Sequence, residues 1–284
     1  MNTPVAARYA STVILARQAR DRPEIFMVRR HHKNAFMANA YVFVGGRLDQ
    51  VDCATTLTKR CVGRTDYKAV IGLDQDEHRN RGLFVAALRE SFEESGVLLA
   101  ERADGTALET QALNREREAL NDKQRTFESI LEQHDLRLRC DRLRYLARWV
   151  TPAFEPRRFD TFFFVAEVSR DTETRFDPRE TTDGKWITIP EALAQARQRQ
   201  LLLMPPTLCV LESLADCRTV DQLLAAAPDH PVPPIQPQPL RQASELTLLM
   251  PNDRRFDPAD ERRGEDYVVL RDGYWEHLVV PPAS

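Results

Sequence analysis

Three glutamates, Glu90, Glu93 and Glu94, fall within the stretch Arg89-Glu90-Ser91-Phe92-Glu93-Glu94-Ser95-Gly96-Val97. Carboxylate oxygens are the donors preferred by hard divalent cations such as magnesium and manganese. Spacings of three and four bring side chains together when the segment is a helix. On a helical wheel Phe84, Val85, Leu88 and Phe92 gather within an arc of about 100°, the stripe of a core-facing helix. The three acids fall on the opposite side, so residues 83–95 read as a helix, with Gly96 suited to its C-cap. Each like-charged pair there costs about 0.2–0.5 kcal/mol, a sign that a bound divalent cation reverses. A solvated acidic face accounts for three helical glutamates too, so the triplet alone leaves both readings open. Arg89 can brace one carboxylate through a two-pronged ion pair.

Context around the triplet narrows the choice. The stretch resembles the second half of the Nudix box, R-E-U-x-E-E-x-G-U, where U is a bulky aliphatic residue. The first half, G-x5-E, is matched by Gly46, five residues and Asp52. The box usually places seven residues between that acid and the arginine, whereas 36 intervene here, residues 53–88. The other departures are Asp52 for glutamate and Ser91 at the aliphatic position, and neither removes a candidate metal ligand. A box split at this place is similar to that of the Nudix hydrolases akin to the peroxisomal coenzyme A diphosphatases. Further segments carry the same resemblance: Gly45-Gly46-Arg47-Leu48-Asp49, Arg148-Trp149-Val150-Thr151-Pro152 and Pro156-Arg157-Arg158-Phe159-Asp160-Thr161-Phe162-Phe163. Trp186 with Glu191-Ala192-Leu193, and Leu203-Met204-Pro205-Pro206-Thr207, extend it over roughly residues 8–215. An upstream motif of coenzyme A-cleaving members, L-L-T-x-R-S-x3-R-x3-G-x3-F-P-G-G, keeps Arg30 and Phe43. It has Ala35 for its second arginine, Asn39 for its glycine and Val44 for its proline.

The resemblance implies an α/β/α Nudix sandwich with an insertion inside the box, a helical insertion and a C-terminal extension. It implies a diphosphatase in which Glu90, Glu93 and Glu94 hold Mg2+ or Mn2+, with Arg89 beside them. The substrate it favours is coenzyme A or acyl-coenzyme A, giving 3′,5′-adenosine bisphosphate and (acyl-)4′-phosphopantetheine. Hydrolysis of ADP-ribose or dinucleotides is the alternative within enzymes. A non-catalytic nucleotide sensor is the alternative outside them, although a sensor has no need of the full set of box acids.

Arg157-Arg158 follows Pro156 in a turn, where guanidinium groups can bind phosphate oxygens; a salt bridge to Asp160 is the competing role. Arg30, Gly45 and Gly46, just ahead of the box acids, complete the substrate-binding candidates. Nudix folds commonly supply an extra acid from a later loop, and of Glu180 and Asp183 in the polar turn before Trp186, Glu180 is the candidate ligand or general base. A solvated turn residue is the competing reading. Trp186 reads as core and His31-His32 as a surface feature. Residues 1–50 carry eight Lys/Arg against three acids, a local +5 within a chain of net charge −3. A basic wall there would draw a polyanionic small molecule, though an ordinary solvated surface has the same composition. The overall balance argues against nucleic-acid binding.

The elements that must hold these residues are legible as alternating strands and helices. Residues 11–17, 24–29, 41–44, 148–150, 161–168 and 186–189 have strand-like composition, and 191–200 and 207–227 look helical. Residues 53–81 lack a sustained period and read as an inserted loop. Residues 102–147 form a second insertion, helical over 107–147, a lid or an arm for a homodimer or simply a solvated hairpin. Residues 1–227 thus make the Nudix domain. Residues 228–284 make a proline-rich connector and a hairpin turning at Asp272-Gly273. The hydrophobic fraction of 42% and charged fraction of 29% suit a soluble fold. No apolar run approaches the roughly 18 residues of a membrane span. The N-terminus lacks a secretory apolar region, the five cysteines form no C-x-x-C pair, and Pro282-Ala283-Ser284 differs from a peroxisomal Ser-Lys-Leu. Reduced thiols, no zinc site and a cytoplasmic location are expected.

Overall fold

Ile14-Leu15-Ala16 and Phe162 through Ala166 are apolar at every position, so their strands need cover on both faces. The computed structural model describes residues 5–32, 37–73, 77–106, 108–240, 244–256 and 263–282 and supplies that cover. The chain opens with β1 (Arg8–Gln18), β2 (Pro23–Arg30), β3 (Tyr41–Val42) and β4 (Val44–Arg47), then a 3-10 turn at Gln50–Cys53. Short helices α1 (Thr55–Thr58) and α2 (Tyr67–Ile71) flank β5 (Cys61–Val62) and lead into α3 (Glu77–Ser95). Next come β6 (Ala100–Arg102), α4 (Thr110–Asn121), α5 (Phe127–Gln133), β7 (Leu136–Arg139), β8 (Arg144–Val150), β9 (Phe159–Glu167) and β10 (Thr181–Thr188). Helices α6 (Ile189–Arg197), α7 (Pro205–Ser213) and α8 (Val220–Ala225) precede β11 (Gln238–Pro239), β12 (Thr247–Leu249), β13 (Glu265–Arg271) and β14 (Tyr274–Val280).

The main sheet runs β10-β2-β1-β9-β8, with β3 on β2 and β4 on β1. β1 and β9 are parallel from Arg8 opposite Phe159 to Ala16 opposite Glu167; the other pairs are antiparallel. Side chains alternate faces with period two. Val13, Leu15, Phe26, Val28, Phe162 and Phe164 join Leu83, Phe84 and Leu88 of α3 in one core. Ile14, Ala16, Ile25, Met27, Phe163 and Val165 join residues of α6, α7 and α8 in the other. This is the α/β sandwich expected.

Three segments differ from the sequence reading. Residues 53–81 are not a loop: they hold α1, β5, α2 and the first turns of α3, and Leu57, Tyr67, Val70 and Ile71 are buried in the core of α3. Their apolar residues serve several short elements, so no single period emerges. Residues 107–147 are helical only as far as Gln133, and Leu136-Arg137-Leu138-Arg139 then alternates buried and outward positions as a strand. β7 pairs with both β5 and β6, so a small sheet joins the two insertions. Residues 207–227 are two helices, because the hydroxyl of Thr219 accepts from Gln222 N at 3.2 Å and caps a fresh start at α8.

Asp272 and Gly273 have φ of 48° and 82°, the positive values that a type I′ hairpin requires. β11 to β14 form a four-stranded sheet whose Leu248 and Val268, with neighbouring Met250, are buried beside Phe163. Ile235 in the proline-rich connector exchanges backbone hydrogen bonds with Arg148 and Val150, both at 2.8 Å. The five cysteines form no disulfide. Among the described residues no helix is long and apolar enough to cross a membrane.

Candidate active site

α3 presents its acids in a fixed orientation because its opposite stripe is pinned to the sheet. Ser11 of β1 donates to the Leu83 carbonyl at 2.7 Å, and β4 runs beside the acidic face. The Gly45 amide donates to Glu94 Oε2 at 2.8 Å. A Cβ on Gly46 would lie 2.4 Å from the Glu90 carboxyl, and one on Gly45 would lie 2.4 Å from the Ser11 carbonyl oxygen. Backbone approach therefore requires glycine at Gly45, and a side chain at Gly46 would displace the Glu90 carboxyl.

Arg89 links the halves of the split box. Its Nε and Nη2 donate to the two oxygens of Asp52 at 2.8 and 2.9 Å, and Nη2 also reaches the Arg47 carbonyl at 3.0 Å. Its Nη1 donates to Glu90 at 2.8 Å and to Glu93 at 3.3 Å. Asp52 is fully buried and accepts from the Asp49 amide at 2.9 Å. Burial works against the charge on Arg89, but its bonds to Asp52 and the fields of Glu90, Asp52 and Glu93 outweigh it and raise its pKa. Ser91, at the aliphatic box position, donates to the Val97 carbonyl at 3.1 Å and helps close the helix end.

The acids carry charge that their surroundings do not fully offset. Burial, with Glu93 and Asp52 nearby, pushes Glu90 up to about 7 against the pull of Arg89. Burial also raises Glu93. Glu94 stands well above the usual carboxylate range, through burial first and Glu90 next, with the Gly45 amide and Arg30 pulling the other way. Glu180 adds to the repulsion at both Glu93 and Glu94. Glu94 is buried and Glu90 and Glu93 are half-buried, and donors that are all carboxylate oxygens suit a hard divalent cation.

Glu90, Glu94, Gly45 and Gly46 border a cavity of about 420 Å³ that Glu180, Arg30, Arg47 and Arg157 also line. That volume lies within the usual range for small-molecule sites, about 300–1,000 Å³. Arg30 Nε is buried with no hydrogen-bond partner among the described residues. Arg158 is not brought to this cavity: its guanidinium donates to the Thr151 and Val5 carbonyls at 3.1 and 2.7 Å. Asp160, the alternative partner for that arginine pair, is held instead by Arg148 at 2.8 and 2.7 Å. Arg29 lies at the surface, 3.5 Å from Asn39 Oδ1. Lys33, Ala35, Ala283 and Ser284 lie outside the described residues. Asn39, standing where the upstream motif has glycine, takes φ 61°, a left-handed conformation that asparagine tolerates.

Asp183 lies in β10 and accepts from the Tyr41 hydroxyl at 2.5 Å. Trp186 packs on Phe26 at 5.4 Å and donates to Thr174 at 3.0 Å, as a core residue should. The rings of His31 and His32 lie 4.2 Å apart. The sequence reading gave no role to the cavity-lining residues Trp149, Thr151, Met204, Leu248 and Trp275. The first three sit in segments carrying the family resemblance, whereas Leu248 and Trp275 come from distant strands that no local spacing connects to the box.

Residues 7–214 match the model described as the NUDT19 Nudix domain. The chain is 25% identical over 235 residues to the acyl-coenzyme A diphosphatase NUDT19 of Xenopus laevis, covering 70% of this chain and 62% of that protein. It thus spans less than two thirds of that relative's length. It is 29% identical over 251 residues to putative nudix hydrolase 7 of Caenorhabditis elegans, covering 88% of this chain and 74% of the other. The crystal structure of a NUDIX hydrolase from Alicyclobacillus acidocaldarius superposes with a TM-score of 0.64 at 26% identity, over 80% of this chain and 99% of that one.

Proposed function

Because the chain belongs to the Nudix hydrolases, in the group of the NUDT19 Nudix domain, we propose that it hydrolyses the diphosphate of coenzyme A or acyl-coenzyme A with a divalent cation. What carries this reading is the meeting of Glu90, Glu94 and Glu180 with Arg30, Arg47 and Arg157 on one cavity. Carboxylates suit a cation and arginines suit phosphate oxygens, and a diphosphate bound to a metal asks for both. The frog relative is named as an acyl-coenzyme A diphosphatase.

Glu90, Glu93 and Glu94 would hold the divalent cation, magnesium or manganese, which would supply neutralisation of phosphate charge and a more acidic water. Glu180 takes the proton from the attacking water as its oxygen bonds to one phosphorus in line. The bridging P–O bond breaks, and the leaving phosphate departs as an anion steadied by Arg30 and Arg47. Arg89 touches no substrate and acts as a positioning residue for Glu90 and Glu93. The products are 3′,5′-adenosine bisphosphate and (acyl-)4′-phosphopantetheine.

The test is a turnover screen over coenzyme A, acyl-coenzyme A, ADP-ribose and dinucleotides, with and without magnesium or manganese, products identified by mass. Metal-dependent release of adenosine bisphosphate supports the proposal. Turnover without metal, a preference for ADP-ribose, or nucleotide binding with no turnover overturns it.

A further inference from the structure

Leu248 and Trp275 line the same cavity as the box acids, yet both lie beyond the matched residues 7–214. The cavity draws on two sources. Glu90 and Glu94 come from α3, whose apolar face packs on one side of the sheet. Trp149, Phe163 and Leu248 belong to the apolar cluster on the other side, and Trp275 packs against that cluster. One part of the cavity is thus charged and another is aromatic and aliphatic. The ring of Trp149 lines this part, while its indole N–H is buried away from the open cavity.

We propose that this wall is a subsite for an uncharged arm that ends in an aliphatic chain. Leu248 and Trp275 of the C-terminal extension set the length of chain accepted. The assignment of that arm to the same substrate as the diphosphate rests on the reading above. The extension is then a specificity wall of the site, added from outside the matched domain.

Two measurements test it. The first is kcat/KM across unacylated, acetyl, octanoyl and palmitoyl coenzyme A, for wild type and Trp275→Ala. Trp275 is only partly buried, so the variant should fold. The octanoyl-to-acetyl ratio should fall roughly tenfold, the scale of losing aromatic cover over a few methylenes. An unchanged ratio overturns the proposal. The second measurement follows the indole N–H resonances of the three tryptophans on titration with S-octanoyl pantetheine, which has no phosphate. Trp149 and Trp275 should shift, while Trp186, bonded to Thr174 at 3.0 Å, stays still. No shift, or equal shifts at all three, refutes the subsite. Selective shifts in a protein that cleaves no diphosphate would keep the subsite and discard the diphosphatase reading.

Discussion

Asp52 and Arg89 stand 37 positions apart and meet through two hydrogen bonds. Aspartate can replace the usual glutamate because the 3-10 turn brings its backbone close to α3. The pair is buried, so breaking it is expensive: Asp52→Asn should cost about 3–5 kcal/mol in urea unfolding, with turnover falling as Glu90 and Glu93 lose their brace. Glu93→Gln and Glu94→Gln should behave in the opposite way. Each should lose most activity while the thermal midpoint holds or rises, since each like-charge contact removed is worth about 0.2–0.5 kcal/mol. Near-wild-type turnover in either, at saturating magnesium, would remove that residue from the ligand set. The arginines allow a sharper prediction about substrate. A 3′-phosphate meeting one of Arg30, Arg47 or Arg157 gains about 2 kcal/mol, or roughly 30-fold. Coenzyme A should therefore exceed dephospho-coenzyme A in kcat/KM, with Arg157→Ala narrowing the gap and Arg158→Ala leaving it in place. Box acids could be read from sequence because they share one helix. The difference between Arg157 and Arg158 could not, because it depends on which neighbour finds a carbonyl to hold.

Among elements, the segment that splits the box shows how far local pattern carries. Its apolar residues are few, and each serves a different short helix or strand, so periodicity gives no signal and a loop is the natural reading. Tertiary packing decides otherwise. The Tyr67 ring meets Phe84 edge-on at 5.1 Å, and Leu57, Val70 and Ile71 close the same core. A loop of this length would cost little, about 0.6 kcal/mol per doubling, and its truncation would be mild. A core element predicts something else. Tyr67→Ala should destabilise the protein by about 3–5 kcal/mol, measured by urea unfolding, although Tyr67 lies outside both halves of the box. A loss under about 0.5 kcal/mol, the level of an exposed surface change, would return the segment to a peripheral role. Strands such as β1 and β9 were legible because unbroken apolar runs state that both faces are buried. β7 carried a weaker signal of the same kind, two leucines alternating with two arginines.

At the scale of the whole molecule, the C-terminal extension is the part least visible in sequence, because its attachment depends on side chains from three separate elements. His277 of β14 sits with Nδ1 2.5 Å from Glu212 of α7 and Nε2 2.8 Å from Asp266 of β13. Cys209 of α7 is a further neighbour. Burial works against a charged ring, but the bonds to Asp266, Cys209 and Glu212 outweigh it and push His277 up to about 12 from an ordinary value of 6.5. A histidine raised in this way binds its proton more tightly folded than unfolded. Its stabilisation is therefore complete below 6.5 and declines as pH rises through the interval to about 12. Urea unfolding of wild type and His277→Gln, compared at several pH values, isolates this contribution from the other titrating groups. The wild-type advantage should be largest near pH 6 and shrink steadily toward pH 10. A gap independent of pH would mean that the ring is neutral when folded and that packing, not the ion pairs, anchors the sheet. Because Trp275 lies two residues before His277 on the same strand, loosening this anchor should also disturb the apolar wall. The dependence on acyl-chain length should then flatten at high pH in wild type and be flat at every pH in the variant.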